Sequence, residues 1–155
     1  MSERSFVPAD FVVPLELVGP GFRLIPLGPE HNAADYAAWT GSMGHIRVTP
    51  GFEDRPWPHE MPVEQNLADL EQHAVDFAAR TGFTYTVLPP DAPDAREVIG
   101  CVYIYPPDAG EPGDASVRSW VRADHAALDG VLYAAVRDWL ARAWPFDSIE
   151  YAARS

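Results

Sequence analysis

Asp69, His73 and Asp76 follow one another at steps of four and three residues, a spacing that brings two carboxylates and an imidazole near one face of a helix. Such donors could ligate a divalent cation, but a metal centre needs a second ligand cluster of recognisable spacing, and the sequence has none. His73 also falls away from the apolar stripe of Leu67, Leu70 and Phe77, so the group is read as a solvated face and no metal is expected. The chain contains no Gly-x-Ser-x-Gly elbow, no Cys-x-x-Cys pair and no P-loop. Hydrolase, thiol-redox and nucleotide-triphosphate chemistries therefore have no residues to stand on. Tyrosines and carboxylates remain as acid–base groups. Tyr103 and Tyr105 share one face of a strand, while Glu150 and Tyr151 alternate on another and cannot.

The composition bounds the partners. The chain has 155 residues, 47% of them hydrophobic, and a net charge of −12 with eleven basic side chains, all arginine. That length and apolar content suit one α/β domain, residues 1–155, with 1–21 as an extension or hairpin strand and 22–155 as the core. Binding nucleic acid by phosphate neutralisation needs a basic stripe, so DNA and RNA are excluded as expected partners. The acidity would draw in a cationic ligand such as an amine, although a solubility role for surface carboxylates is the commoner explanation. Cys101 is the single cysteine and lies in an apolar strand, so a buried, inert thiol and a reducing compartment are expected. No window reaches the ~18 apolar residues of a membrane helix, and residues 1–5 do not resemble a leader. The expectation is a soluble, cytoplasmic protein without a membrane partner.

The elements that must position these groups can be read from periodicity. Apolar runs at 15–18 and 22–25 flank Gly19-Pro20-Gly21 and predict a hairpin. Pro29 suits a first helical position, and Ala33, Tyr36, Ala37 and Thr40 keep a helical step until Gly41. Residues 42–62 hold four prolines and predict a long loop with at most a helical turn, pinned to the core by Phe52 and Trp57. A helix follows over 63–80, then a strand over 83–88, proline-rich breaks at 89–94 and 106–113, strands at 98–105 and 115–122, an amphipathic helix over 131–143, and a last strand at 148–152.

The closing order, strand 98–105 (VIGCVYIY), strand 115–122 (ASVRSWVR), helix, strand 148–152 (SIEYA), resembles the heart of the GCN5-related N-acetyltransferase fold, a mixed α/β sheet. The resemblance implies acetyl-CoA as cofactor. Its pantetheine would bond to exposed strand amides at Trp120, Val121, Arg122 and Ala123, and its pyrophosphate would sit at the helix start near Gly130. It also implies that the segment between the first two helices helps to form the acceptor pocket, which makes His45, Arg47, Phe52, Trp57 and His59 candidates for contact with a small-molecule acceptor. Relatives use a Glu and a Tyr to move protons, which leaves Tyr103, Glu150 and Tyr151 as candidates here. The family's usual acid follows the strand at which this sequence stops.

The family's glycine-containing loop, Arg/Gln-x-x-Gly-x-Gly/Ala, corresponds to His125-Ala126-Ala127-Leu128-Asp129-Gly130, in which only the last glycine is kept. Leu128 adds a branched side chain where backbone must approach an anion. Asp129, just ahead of the helical run, is placed to act as N-cap and to repel a phosphate, by on the order of 4 kcal/mol at ~4 Å and an effective dielectric near 20. Arg118 and Arg122 could offset part of that repulsion. Two readings stay open: a divergent transferase moving an acyl group from acyl-CoA to an amine or other small acceptor, and a non-catalytic scaffold that binds a small ligand or protein. The strand at 148–152 would be a bare sheet edge, for which a homodimer is the expected cover.

Overall fold

The computed structural model describes residues 6–91, 97–108 and 113–154. The leader reading of residues 1–5, parts of the two proline-rich breaks (92–96 and 109–112) and Ser155 lie outside them. Pro20 and Gly21 close the first hairpin, with Gly19 paired to Phe22. Proline supplies the φ of the first turn position, and Gly21 takes φ +81° at the second, where a side chain would be strained. The hairpin joins β1 (Leu17–Gly19) to β2 (Phe22–Pro26). A 3₁₀ turn opening on Pro29 leads into α1 (Asn32–Thr40), which stops at Gly41. The proline-rich stretch that follows contains one short helix, α2 (Met43–Arg47), and then irregular chain to α3 (Val63–Ala79).

From there the chain runs through β3 (Phe83–Leu88), β4 (Gly100–Tyr105), β5 (Ala115–Val121), α4 (Leu128–Ala143) and β6 (Ile149–Tyr151). The six strands form one sheet in chain order. Every neighbour is antiparallel except β5 and β6, which are parallel across the α4 crossover. Strand alternation divides the core in two. Val102 and Ile104 of β4 join Phe22, Leu24, Tyr85 and Val121 beneath Leu132, Val136, Trp139 and Leu140 of α4. Cys101 and Trp120 turn to the other face, where Trp39, Ile46, Phe52 and Leu70 cover them. Burial raises the Cys101 thiol well above its ordinary range, which leaves it protonated and unreactive.

Two expectations are corrected. The last helix starts at Leu128, with Ala127 as its N-cap residue, so Asp129 lies inside the first turn and caps nothing. Ala126 and Ala127 ahead of it already have right-handed helical backbone angles, so the chain enters the helix without the extended residue that a side-chain cap needs, and an acidic side chain is favoured in a first turn by the helix dipole. The second correction concerns His73, which packs against the sheet rather than facing water. The inward line of α3 runs through Asn66, Leu70, His73 and Phe77, while Leu67 is more than a third exposed. A polar ring is tolerated there because Tyr105 and Thr84 lie within hydrogen-bonding distance of its Nδ1.

Asn66 ties α3 to α1. It accepts a hydrogen bond from Trp39 Nε1 at 3.0 Å and donates to Asn32 Oδ1 at 2.8 Å and Asp35 Oδ2 at 3.2 Å. Asn66→Ala removes all three and orphans a buried indole N–H, so a loss of about 2–3 kcal/mol is expected in urea denaturation. A change within about 0.5 kcal/mol would mean that the two helices are held by apolar packing alone.

Candidate active site

β5 and β6 pair over three residues only: Ala115 with Ile149, Ser116 with Glu150 and Val117 with Tyr151. Beyond that point β5 runs on to Val121 with β4 on one side and an open edge on the other. A strand residue sends its N–H and C=O the same way, with neighbours pointing oppositely. The Arg122 N–H bonds to Ile99 on the β4 side, whereas the Ser119 carbonyl turns to the open edge and accepts from Arg154 Nη2 at 2.8 Å. By the same alternation Val121 presents its backbone to the crevice and Trp120 does not.

Arg154 fills this crevice. Besides Ser119 its guanidinium donates to Asp129 Oδ2 at 2.7 Å, to the Pro50 carbonyl at 3.1 Å and to the Ala152 carbonyl at 2.8 Å. It also lies over the rings of Tyr133 and Tyr151 at 5.6 and 5.7 Å. Only 6% of the side chain is exposed. The Ser119 and Tyr151 hydroxyls meet at 2.5 Å on the α4 side. The cation that answers Asp129 is thus Arg154, and Arg118 and Arg122 are not bonded to it. Asp129 keeps one buried oxygen, Oδ1, with no partner among the described residues.

On the opposite face of the sheet a cleft of about 390 Å³ is lined by Asp35, Phe52, Trp57, His73, Tyr103 and Arg118, among others. Its walls are aromatic: Trp57 lies 5.9 Å from Phe52 and 6.4 Å from Tyr103, ring centre to ring centre. A groove sharing Arg55, Pro56 and Arg118 with it leads on to Glu150 and Tyr151, where β6 leaves the sheet. Asp35 is 4% exposed. Burial raises its carboxyl to about 6, opposed by the Asn66 hydrogen bond. Burial lowers His73 below the ordinary imidazole value, against the pull of Asp76 and Asp69.

The residues picked from sequence fall in several places. Trp57 and Phe52 line the cleft. His45 accepts from Thr49 Oγ1 through its backbone carbonyl at 2.9 Å. Arg47 clamps the Pro58 carbonyl with two nitrogens, at 3.2 and 3.1 Å, and His59 is exposed beside Glu60. Tyr103 lies in the cleft and accepts from Trp120 Nε1 at 2.9 Å, which occupies the Trp120 side chain. Burial raises the Tyr103 hydroxyl well above its ordinary range, and Tyr151 moves the same way for the same reason. Glu150 is exposed in the groove. Arg122 pairs with Asp124 and Glu97, and the Ala123 N–H donates to Ser42 Oγ at 2.9 Å. Both border a separate cleft of about 430 Å³ beside α1. Gly130 is exposed in the first turn of α4, with open space around it.

Asp35, His73, Ser119 and Arg154 were not picked out as functional by sequence. A signal existed for two of them. Asp35 shares a stripe with Ala38 and Trp39 at helical spacing, and His73 does so with Leu70 and Phe77, so each polar group interrupts an apolar face. Among the described residues no group of three or more His, Cys, Asp or Glu could hold a metal ion, and no helix is long and apolar enough to cross a membrane.

No family model and no curated protein matches the sequence. Solved structures do. An acetyltransferase of Salmonella typhimurium that modifies the N-terminal serine of ribosomal protein L7/L12 is 11% identical, with a TM-score of 0.57 over 81% of this chain and 67% of that one. The ribosomal L7/L12 alpha-N-protein acetyltransferase RimL in complex with coenzyme A gives 12%, 0.59, 81% and 67%. The microcin C7 self immunity acetyltransferase MccE, in complex with acetyl-CoA and AMP, gives 12%, 0.58, 83% and 66%. The chain spans about two thirds of the length of these structures. It has the acyl-CoA N-acyltransferase fold of the GCN5-related acetyltransferases.

The raised Asp35 carboxyl has a stability consequence. A carboxyl that holds its proton more tightly when folded contributes stability that is complete below its unfolded value of 3.8 and is lost as the pH rises through about 6. The loss is about 3 kcal/mol at 1.36 kcal/mol per pH unit. Asp35→Asn keeps the shape without the charge. It should raise stability in urea at about pH 8 and give little at about pH 4, whereas an equal effect at both would place the Asp35 carboxyl near its ordinary range.

Proposed function

We propose that this protein transfers an acyl group from an acyl-CoA to an amine or another small acceptor. The observation that carries the reading is the open edge of β5 at Ser119 and Val121, at the point where the acceptor-side groove reaches β6. A pantetheine arm can bond to such an edge as an added strand would. The α4 first turn supplies the helix end near which a pyrophosphate is favoured, with Gly130 leaving room and the Asp129 charge answered by Arg154. When bound, the thioester supplies the acyl group and a thiol leaving group. The aromatic cleft on the other face would receive the acceptor.

For such a ligand to lie along β5, Arg154 must release the Ser119 carbonyl, and the released guanidinium is then a cation beside the phosphates. The same contacts support a second reading, in which Arg154 permanently closes the crevice and the chain is a binding scaffold. Calorimetric titration with CoA and acetyl-CoA separates the two: saturable binding supports transfer, and no heat up to millimolar ligand supports the scaffold. Asp129→Asn removes a like charge and loosens Arg154, so it should tighten CoA binding at least about tenfold, or about 1.4 kcal/mol. Unchanged affinity would place the phosphates away from α4.

A further inference from the structure

His73 stands in the acceptor cleft with its ring orientation already fixed. Nδ1 lies 2.8 Å from the Tyr105 hydroxyl and 3.1 Å from Thr84 Oγ1. The Tyr105 hydroxyl donates its single proton to Asp76 Oδ2 at 2.9 Å, so it has none left for the imidazole. The short contact must therefore be Nδ1–H donating to the tyrosine oxygen. The proton on Nδ1 leaves Nε2 with its lone pair; the hydrogen bonds of His73 among the described residues all run through Nδ1, and the side chain lines the cleft. A neutral imidazole held in one tautomer by a hydroxyl and a carboxylate, with the other nitrogen unbonded on a side chain that lines a cavity, is an arrangement suited to a general base.

We propose that His73 is the general base of this site, taking the proton from the acceptor nitrogen as that nitrogen is acylated, with Tyr105 and Asp76 as positioning residues. This rests on the acyl-transfer reading. The amine enters with its nitrogen lone pair free, having left its ammonium proton in water. The lone pair forms the new C–N bond, the C–S bond breaks with its electron pair going to sulfur, and the nitrogen proton passes to Nε2. The imidazolium then donates that proton to the thiolate. The products are the amide and the thiol, and His73 is neutral again. While charged it keeps both hydrogens bonded or facing the cleft, and Asp76 answers the charge through Tyr105.

The charged and titratable groups around His73 come from every neighbouring element. They are Asp69 and Asp76 on α3, Tyr103 and Tyr105 on β4, Arg118 on β5, Asp35 on α1 and Arg55 in the loop before α3. Arg55 is paired with Asp108 at 3.0 Å. Burial lowers His73, so the base is neutral at neutral pH and fails only in acid. The aromatic walls and the two carboxylates, Asp35 and Asp69, fit a primary amine on an apolar or aromatic body.

The test uses the intact chain labelled with 15N at histidine, with His73 assigned by His73→Gln. At pH 7 the long-range 1H–15N spectrum should show Nδ1 protonated and Nε2 bare, and benzylamine should shift Nε2. Tyr105→Phe should mix the tautomers and leave the fold intact by circular dichroism. Nε2 protonated at pH 7, or no response of Nε2 to saturating benzylamine, would overturn the proposal. With acetyl-CoA and benzylamine, His73→Gln should lower kcat/KM about a hundredfold or more at unchanged CoA affinity. The acid limb of the wild-type profile should lie below the ordinary histidine range and move further down in Tyr105→Phe. Undiminished transfer by His73→Gln would overturn the base assignment and leave acyl transfer standing, whereas absence of CoA binding would sink the transfer reading itself.

Discussion

The sheet parts after Val117 and Tyr151, and Arg154 answers for the carbonyls and the carboxylate left there. Three structural pieces converge at that point: the unpaired edge of β5, the first turn of α4 and the loop at Pro50. Each brings an acceptor, namely the Ser119 carbonyl, the Asp129 carboxylate and the Pro50 carbonyl, and the five donors of one guanidinium reach all of them. Without that cation a carboxylate would stand largely buried beside two unsatisfied carbonyls, which costs more than the pairing itself gains. The separation of the strands and the position of α4 therefore depend on the same contact.

That contact also reframes the chain's charge. In a molecule with a net charge of −12, three of its eleven arginines stand where the sheet opens: Arg154 in the crevice, and Arg118 and Arg55 in the groove and cleft beside it. Across the sheet the environment separates two titratable groups in opposite directions from their ordinary values. Asp35 is pushed up and His73 down, both by burial. Carboxyl and imidazole are thereby brought toward one another on the pH scale, a condition under which small changes in surroundings decide which group holds a proton. The aromatic rings of Phe52, Trp57 and Tyr103 line the same cleft and lower its polarity, which strengthens those effects.

Much of the fold was legible in the sequence, because it rests on local rules. Pro20-Gly21 dictates the hairpin, Pro29 and Gly41 bracket α1, and the alternation from Gly100 to Tyr105 separates the two faces of the sheet. The order of strand, strand, helix, strand carried the resemblance to the acetyltransferases. The start of α4 was misplaced because a capping rule was applied to Asp129, whereas the turn at Ala126 and Ala127 already carries helical backbone angles and leads straight into Leu128. His73 was misread because amphipathic patterning treats every histidine as polar, whereas a ring with two hydrogen-bond partners belongs inside. Arg154 carried no signal at all. Its partners Pro50, Ser119 and Asp129 are distant in sequence, and only the crossover of α4 and the return of β6 bring them together.

The central claim is that the crevice beside β5 is a ligand channel temporarily held by Arg154. A crystal structure of the protein grown with CoA tests it most directly. The account predicts pantetheine bonded along the β5 edge at Ser119 and Val121, phosphates near the first turn of α4, and Arg154 withdrawn from the Ser119 carbonyl. CoA bound elsewhere, or absent at saturating concentration with Arg154 still bridging Ser119 and Asp129, would contradict it.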